Sequence, residues 1–312
     1  MTGPVRMKTS QDGLSRRARR DLEKAVHVVQ VEFAEAIAKD PRARTDAELL
    51  KIILYGSYAR GDQVESWPGA GYQSDYDLLA VVNKEEYAEH VTCSGAEDWC
   101  HRLIWITVSL EAHGLDHFNH ALSRHRSFFI DVLRDGILLY EKPGHPFVAP
   151  PPLTPALAYD LAKENYALWF RDGQDTWKAL LQAFGDDPSH GGHLAVTLHR
   201  RAAALYNAVL LVLSCYSPGG HDLERLRGAA EALDPRLAAA WPRDTPAARR
   251  RFDRFKRAFL NDASQQIHDY TPDEVAWIAR RVEHLEDLAG TICGERLAAL
   301  AEAAREGRPS NR

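Results

Sequence analysis

The spacing of apolar residues divides the chain into a mixed first half and a helical second half. Leu22, Val26, Val29, Phe33 and Ile37 recur at intervals of three and four and predict an amphipathic helix over Leu14–Lys39, ending near Pro41. Residues 1–13 lack that period and read as frayed. The continuous apolar run Leu50–Tyr55 predicts a buried strand, and Ser74–Val82 a second strand with aspartates at alternate positions. Residues 84–92 read as a helix, Leu103–Leu110 as a third strand rich in β-formers, Gly114–Arg126 as a helix and Gly136–Tyr140 as a short closing strand. Strands alternating with helices predict an α/β (α+β) domain around a mixed sheet.

Six prolines between residues 141 and 156 (Pro143, Pro146, Pro150, Pro151, Pro152 and Pro155) predict a stiff, extended linker. Helical periodicity dominates after it, over Ala156–Arg171, Asp172–Phe184, His193–Ser214, Asp222–Ala232, Ala247–Gln265 and Pro272–Arg305. Thr271 before Pro272, with Glu274 in the first turn, marks a helix start. His193–Ser214 is the most continuously apolar of these helices and is expected at the centre of a bundle. The predicted organisation is a sheet domain over 1–142, a linker over 143–155 and an all-α helical bundle over 156–312.

Composition narrows the function classes. The chain has 312 residues, 45% hydrophobic and 27% charged, as expected of a globular protein with a substantial core. A net charge of −5 argues against nucleic acid as the main partner. The four cysteines form no C-x-x-C pair and fit reduced thiols. The longest apolar run, Ala208–Leu213, is far too short for a membrane span, and Met1–Arg20 is polar and basic, without a signal-peptide core. A cytoplasmic location with no membrane partner is expected.

The candidate chemistry lies between Leu54 and Val82. A strand runs into Gly56-Ser57, and Ser74-Asp75-Tyr76-Asp77 opens the next strand. Side chains alternate along a strand, so Asp75 and Asp77 share one face about 7 Å apart. Like carboxylates on an apolar strand repel, and a hard divalent cation such as Mg²⁺ relieves that repulsion. The Gly-Ser turn opens a helix whose free N–H groups favour phosphate. Together these features predict a metal–nucleotide site.

Gly56-Ser57 followed by Asp75-x-Asp77 resembles the minimal form of the DNA polymerase β-like nucleotidyltransferase superfamily over roughly residues 45–140. The resemblance implies a nucleoside triphosphate, ATP by family habit, bound at Gly56 and Ser57, with Asp75 and Asp77 holding Mg²⁺ or Mn²⁺. It implies transfer of a nucleoside monophosphate to a hydroxyl of a protein or small molecule, an aminoglycoside-like antibiotic among them. Arg60 is a candidate phosphate contact, with Asp62 as a competing partner. The family carries a third carboxylate on a neighbouring strand. The expected strand Leu103–Leu110 contains no acid, so Glu111, immediately after it, is the first candidate and Asp116 the second. The Gln63–Gln73 loop reads equally as part of an acceptor pocket and as a surface excursion.

The stretches Leu198–Tyr206, Leu210–Leu213 and Tyr216-Ser217-Pro218-Gly219-Gly220-His221-Asp222-Leu223 resemble a HEPN helical domain, often coupled to minimal nucleotidyltransferases. That implies a bundle that packs, binds substrate or forms a homodimer. HEPN ribonucleases carry Arg, four to six residues, then His; here the spacing occurs only at Arg20…His27, outside the bundle, and His221, His268 and His284 all lack it. His221 reads as a residue at a helix start beside Asp222. His113, His117, His120 and His125 crowd one segment without H-E-x-x-H or a carboxylate in that frame, and read as a polar helix face rather than a metal site. Two alternatives stand beside the enzyme: a catalytically weak nucleotide-binding or interaction protein, and a HEPN ribonuclease.

Overall fold

The computed structural model describes residues 5–63, 74–104, 106–171, 175–218, 220, 222–259 and 270–307. Most of the Gln63–Gln73 loop, together with Trp105, Gly219, His221, His268 and the end of the expected helix Ala247–Gln265, lies outside them. The chain forms two compact units, Met1–Pro152 and Leu153–Arg312.

The first unit is built on four strands in the order β3-β2-β1-β4: β1 Leu49–Tyr55, β2 Tyr76–Val82, β3 Val108–Gly114 and β4 Ile137–Glu141. β1 pairs antiparallel with β2 and β4, while β2 and β3 run parallel, so the sheet is mixed. Ile52, Leu54, Tyr76, Leu78 and Ala80 pack on one face with α1 (Arg16–Ala38), whose Leu22, Val29 and Phe33 supply the apolar stripe. The short helix α2 (Ala43–Asp46) leads into β1. Ile53, Leu79 and Val81 form the other face. It is covered by two of the helices that complete the unit in chain order: α3 Gly56–Arg60, α4 Glu89–Thr92, α5 Ala96–Leu103, α6 Leu115–Ser123 and α7 Ser127–Asp135. Phe118 of α6 and Phe129 of α7 supply that cover.

Two expectations change here. The third strand is Val108–Gly114, not Leu103–Leu110, and Ala96–Leu103 is helical. Acids in the first turn (Glu97, Asp98) and basic groups in the last (His101, Arg102) suit the helix dipole of α5, and Ile104 and Ile106 bury themselves in the connection. β3 alternates buried Val108 and Leu110 with the more polar Ser109, Glu111 and His113, so its mixed composition disguised it. Residues 5–8 are also anchored rather than frayed: Val5 bridges Phe147, and the Leu138 amide donates to the Lys8 carbonyl at 2.8 Å.

The second unit is helical throughout its described residues: α8 Pro155–Asn165 continuing as a π-turn over Tyr166–Arg171, α9 Thr176–Phe184, α10 Gly191–Ser214, α11 Leu223–Leu233, α12 Pro246–Phe255 and α13 Pro272–Glu306. α10 is its centre, buried along most of its length. Asp222 caps α11 through the Glu224 and Arg225 amides. Thr271 and Glu274 form a reciprocal capping box at the start of α13. Buried charge is paired at Glu286, which accepts from Trp177 Nε1 at 3.3 Å and lies 3.4 Å from Arg201. Among the described residues no helix is long and apolar enough to cross a membrane.

Removing the Thr271 hydroxyl leaves an amide of the first turn of α13 without its cap. Thr271→Ala is expected to destabilise the helical unit by about 1 kcal/mol, read as a lower denaturation midpoint in urea.

Candidate functional site

The site grows from the end of β1. Tyr55 leaves the strand extended, Gly56 takes a φ of 70°, and α3 turns away at once. α3 is short but fixed: Tyr58 and Ala59 are buried, and the Tyr58 ring lies 4.4 Å from that of Tyr76. A Cβ at Gly56 would sit 1.9 Å from Asp77 Oδ2. The Asp77 carboxylate thus lies directly over the Gly56 backbone. Glycine is required there twice, for the positive φ and for the close approach.

Strand register assembles the rest. Tyr55 is opposite Asp77 across β1–β2, and Asp77 is level with Ser109, and Leu79 with Glu111, across β2–β3. Paired positions share a face, so Tyr55, Asp77 and Glu111 project from the same side of three adjacent strands. Glu111 therefore lies inside β3, on the strand beside β2, not beyond the end of a strand. Asp116 is an exposed residue in the first turn of α6.

The electrostatics mark this face. Asp77 is the one residue of β2 that is not fully buried. Burial, with the charges of Asp75 and Glu111, pushes its pKa up to about 6, opposed by Arg60. Burial also raises that of Asp75. The Tyr55 hydroxyl donates to Glu111; burial and the charges of Glu111 and Asp77 hold it protonated far above the usual phenol range. Arg60 lies 3.5 Å from Asp62, so the competing partner is present, while its charge also favours ionised Asp77. A further acid joins from α7: burial pushes Asp131 up to about 7, against the pull of Arg134 at 2.9 Å and of Arg60.

The structure thus brings Gly56, Asp75, Asp77, Glu111 and Arg60 together, with Ser57 in the first turn of α3. Sequence reasoning missed Tyr55 and Asp131. Tyr55 was within reach, since pairing the two expected strands sets it against Asp77; nothing local marks Asp131. It also missed that the histidine segment straddles a strand and a helix. Among the described residues, the one group of three potential metal ligands drawn within 4.8 Å of one another is Glu85, His113 and His117. The polar-helix-face reading of that segment holds for exposed His117 and His120 on α6, whereas His113 is on β3 and His125 lies beyond the end of α6.

No protein-family model matches the chain, and no curated protein matches it in a sequence search.

Gly56→Ala meets both the φ penalty and the Asp77 carboxylate, whereas Gly61→Ala meets only a φ of 80° with nothing within 4 Å. Each is expected to cost on the order of 1–3 kcal/mol in strain, with Gly56→Ala the costlier by chemical denaturation.

Asp77 titrates near 6 in the fold and near ~3.9 unfolded, so between these values the folded form binds the extra proton. The charge penalty is therefore absent below about pH 4 and complete above about pH 7. Asp77→Asn removes it. In thermal melts without divalent ions, the variant should gain stability over the wild type as pH rises through that window, on the order of 1–3 kcal/mol at the top. A constant difference across the window would contradict the assigned crowding.

Proposed function

We propose that the chain is a Mg²⁺-dependent nucleotidyltransferase that moves a nucleoside monophosphate, AMP from ATP as the expected donor, onto a hydroxyl of a protein or small molecule. The observation that carries this reading is the pairing of Asp77 and Glu111 on one sheet face, with Asp75 at the approach to β2, beside the Gly56-Ser57 turn. The donor set is all oxygen, partly desolvated and over-supplied with negative charge, which fits a hard divalent cation such as Mg²⁺ or Mn²⁺. Such an ion, held by Asp75 and Asp77 with Glu111 beside them, would neutralise triphosphate charge and favour departure of pyrophosphate.

The chain's own groups supply positioning. Gly56 lets the backbone approach a phosphate without a side chain in the way, and Ser57 offers a hydroxyl and an amide at the start of α3. Arg60, already opposite Asp77 and Asp131, adds positive charge for the same phosphates. Glu111 is the exposed carboxylate of the set, available to an incoming acceptor hydroxyl, and the Tyr55 hydroxyl holds it in place. The acceptor oxygen bonds to the α-phosphorus, the bond to the bridging oxygen breaks, pyrophosphate leaves with that electron pair, and the acceptor proton passes to a carboxylate or to water. The helical unit is read as a HEPN-like bundle with a substrate-binding or dimerising role, supported by the apolar α10 at its centre and the Asp222 cap after Tyr216–Pro218.

A second reading, nucleotide binding with little turnover, is favoured by the looser spacing of the three carboxylates, which do not join the group of ligands within 4.8 Å among the described residues.

Incubation with Mg²⁺, each α-labelled nucleoside triphosphate and cell lysate separates the two. Transfer of label is expected, lost by about 10²-fold or more in Asp75→Ala, Asp77→Ala and Glu111→Gln. Nucleotide binding with no transfer would favour the second reading. Transfer that survives Asp77→Ala would overturn the first.

A further inference from the structure

The end of β3 and the turn facing it hold a second cluster. His113 is the penultimate residue of β3, and His117 lies in the first turn of α6, which follows β3 without a loop. The change of direction at Gly114 brings the two rings face to face, with centroids 4.8 Å apart and planes 6° from parallel. Both rings also lean on Phe129, at 5.2 and 5.7 Å. Their Nδ1 atoms turn toward one oxygen, Glu85 Oε1, at 3.2 Å from His113 and 3.7 Å from His117. The other Glu85 oxygen accepts the Gly114 backbone N–H. A Cβ at Gly114 would lie 2.4 Å from the Glu85 amide nitrogen, so the Glu85 backbone is pressed against this corner.

We propose that Glu85 Oε1 and the Nδ1 atoms of His113 and His117 form a site for a borderline divalent transition-metal ion, Zn²⁺ foremost. Tetrahedral Zn²⁺ with ligands at 2.0–2.1 Å places donor atoms about 3.4 Å apart. The distances of 3.2 and 3.7 Å bracket that separation, and the two ring nitrogens are within 4.8 Å of each other. A ring nitrogen binds a metal in the plane of its ring, so binding turns exposed His117 out of its stack on His113. Two imidazoles and one carboxylate select Zn²⁺ over Mg²⁺, which prefers oxygen. Three protein ligands leave the fourth position to water. The Gly114 amide performs the outer-shell task of fixing the ligating carboxylate. A simple ion pair needs one histidine; a second converging on the same oxygen adds repulsion whenever both are protonated. With both neutral and bound to a metal, the same convergence is attractive.

The site stands apart from the nucleotidyltransferase reading. It lies on the same face of β3 as Glu111, about 7 Å farther along the strand, but offers nitrogen donors that the carboxylate cluster lacks. Full-length protein is titrated with Co²⁺, a spectroscopic substitute for Zn²⁺, in excess Mg²⁺ that occupies all-oxygen sites. One Co²⁺ per chain is expected, with the intense visible band of four-coordinate Co²⁺, displaced by Zn²⁺ and accompanied by a rise in Tm. His117→Ala removes an exposed ring together with its contacts to His113 and Phe129, and Glu85→Gln keeps an acceptor for the Gly114 amide. Each should weaken Co²⁺ binding by about 10–100-fold, while the double variant Asp75→Asn, Asp77→Asn keeps the band. No binding, a weak octahedral spectrum, or a band that survives His117→Ala would overturn the proposal.

Discussion

Like charge held on one face of β2 and β3 is the constraint on which the first unit turns. Parallel pairing puts Asp77 level with Ser109 and carries Glu111 onto the same side, while Asp75 stands at the approach to β2. Neither Asp75 nor Asp77 gains from being there in the absence of a counter-charge. The core of the unit absorbs the cost through α1 on one face and Phe118 and Phe129 on the other. Local features make the arrangement sterically possible: no side chain at Gly56, Tyr58 packed at a tilt against Tyr76 to hold α3 down, and Arg60 as a partial counter-charge.

The helical unit handles charge in the opposite way. Glu286 is buried with Trp177, Arg201 and Lys178 around it, so its cost is met by hydrogen bonds and opposite charge. Trp241 likewise places its ring N–H on the Tyr206 hydroxyl at 2.9 Å. Polar groups paired in this way specify packing. Carboxylates pressed together without enough opposite charge are what a binding site needs, because a ligand of the right sign gains what the fold alone cannot.

Local chemistry was legible where it is written in adjacent residues. The helix at Leu22–Ile37, the apolar strand of β1, the capping box at Thr271 and the β2 strand with Asp77 follow from periodicity and short motifs. Features that depend on register or remote contact were not. The run Leu103–Leu110 looks like a strand by propensity, yet its first residue ends a helix and Ile104 and Ile106 are buried ahead of β3, because β3 needs the positions that match β2. Glu111 could be named as a third acid but not placed until that register was known. Glu85 meets His113 and His117 from 28 and 32 positions earlier in the chain, a separation no local frame covers. The His221 expectation falls outside the described residues.

The register of β3 also makes the site vulnerable at a distance. Side chains alternate, so a slip of one residue against β2 would turn Glu111 away from Asp77 and toward the side now held by Leu78 and Leu110. What keeps the acid in place is therefore hydrocarbon: Val108, Leu110 and Ile106 seated in the core behind the sheet. A substitution among them that loosens this seating would mimic removal of the acid itself, with every polar residue of the site intact.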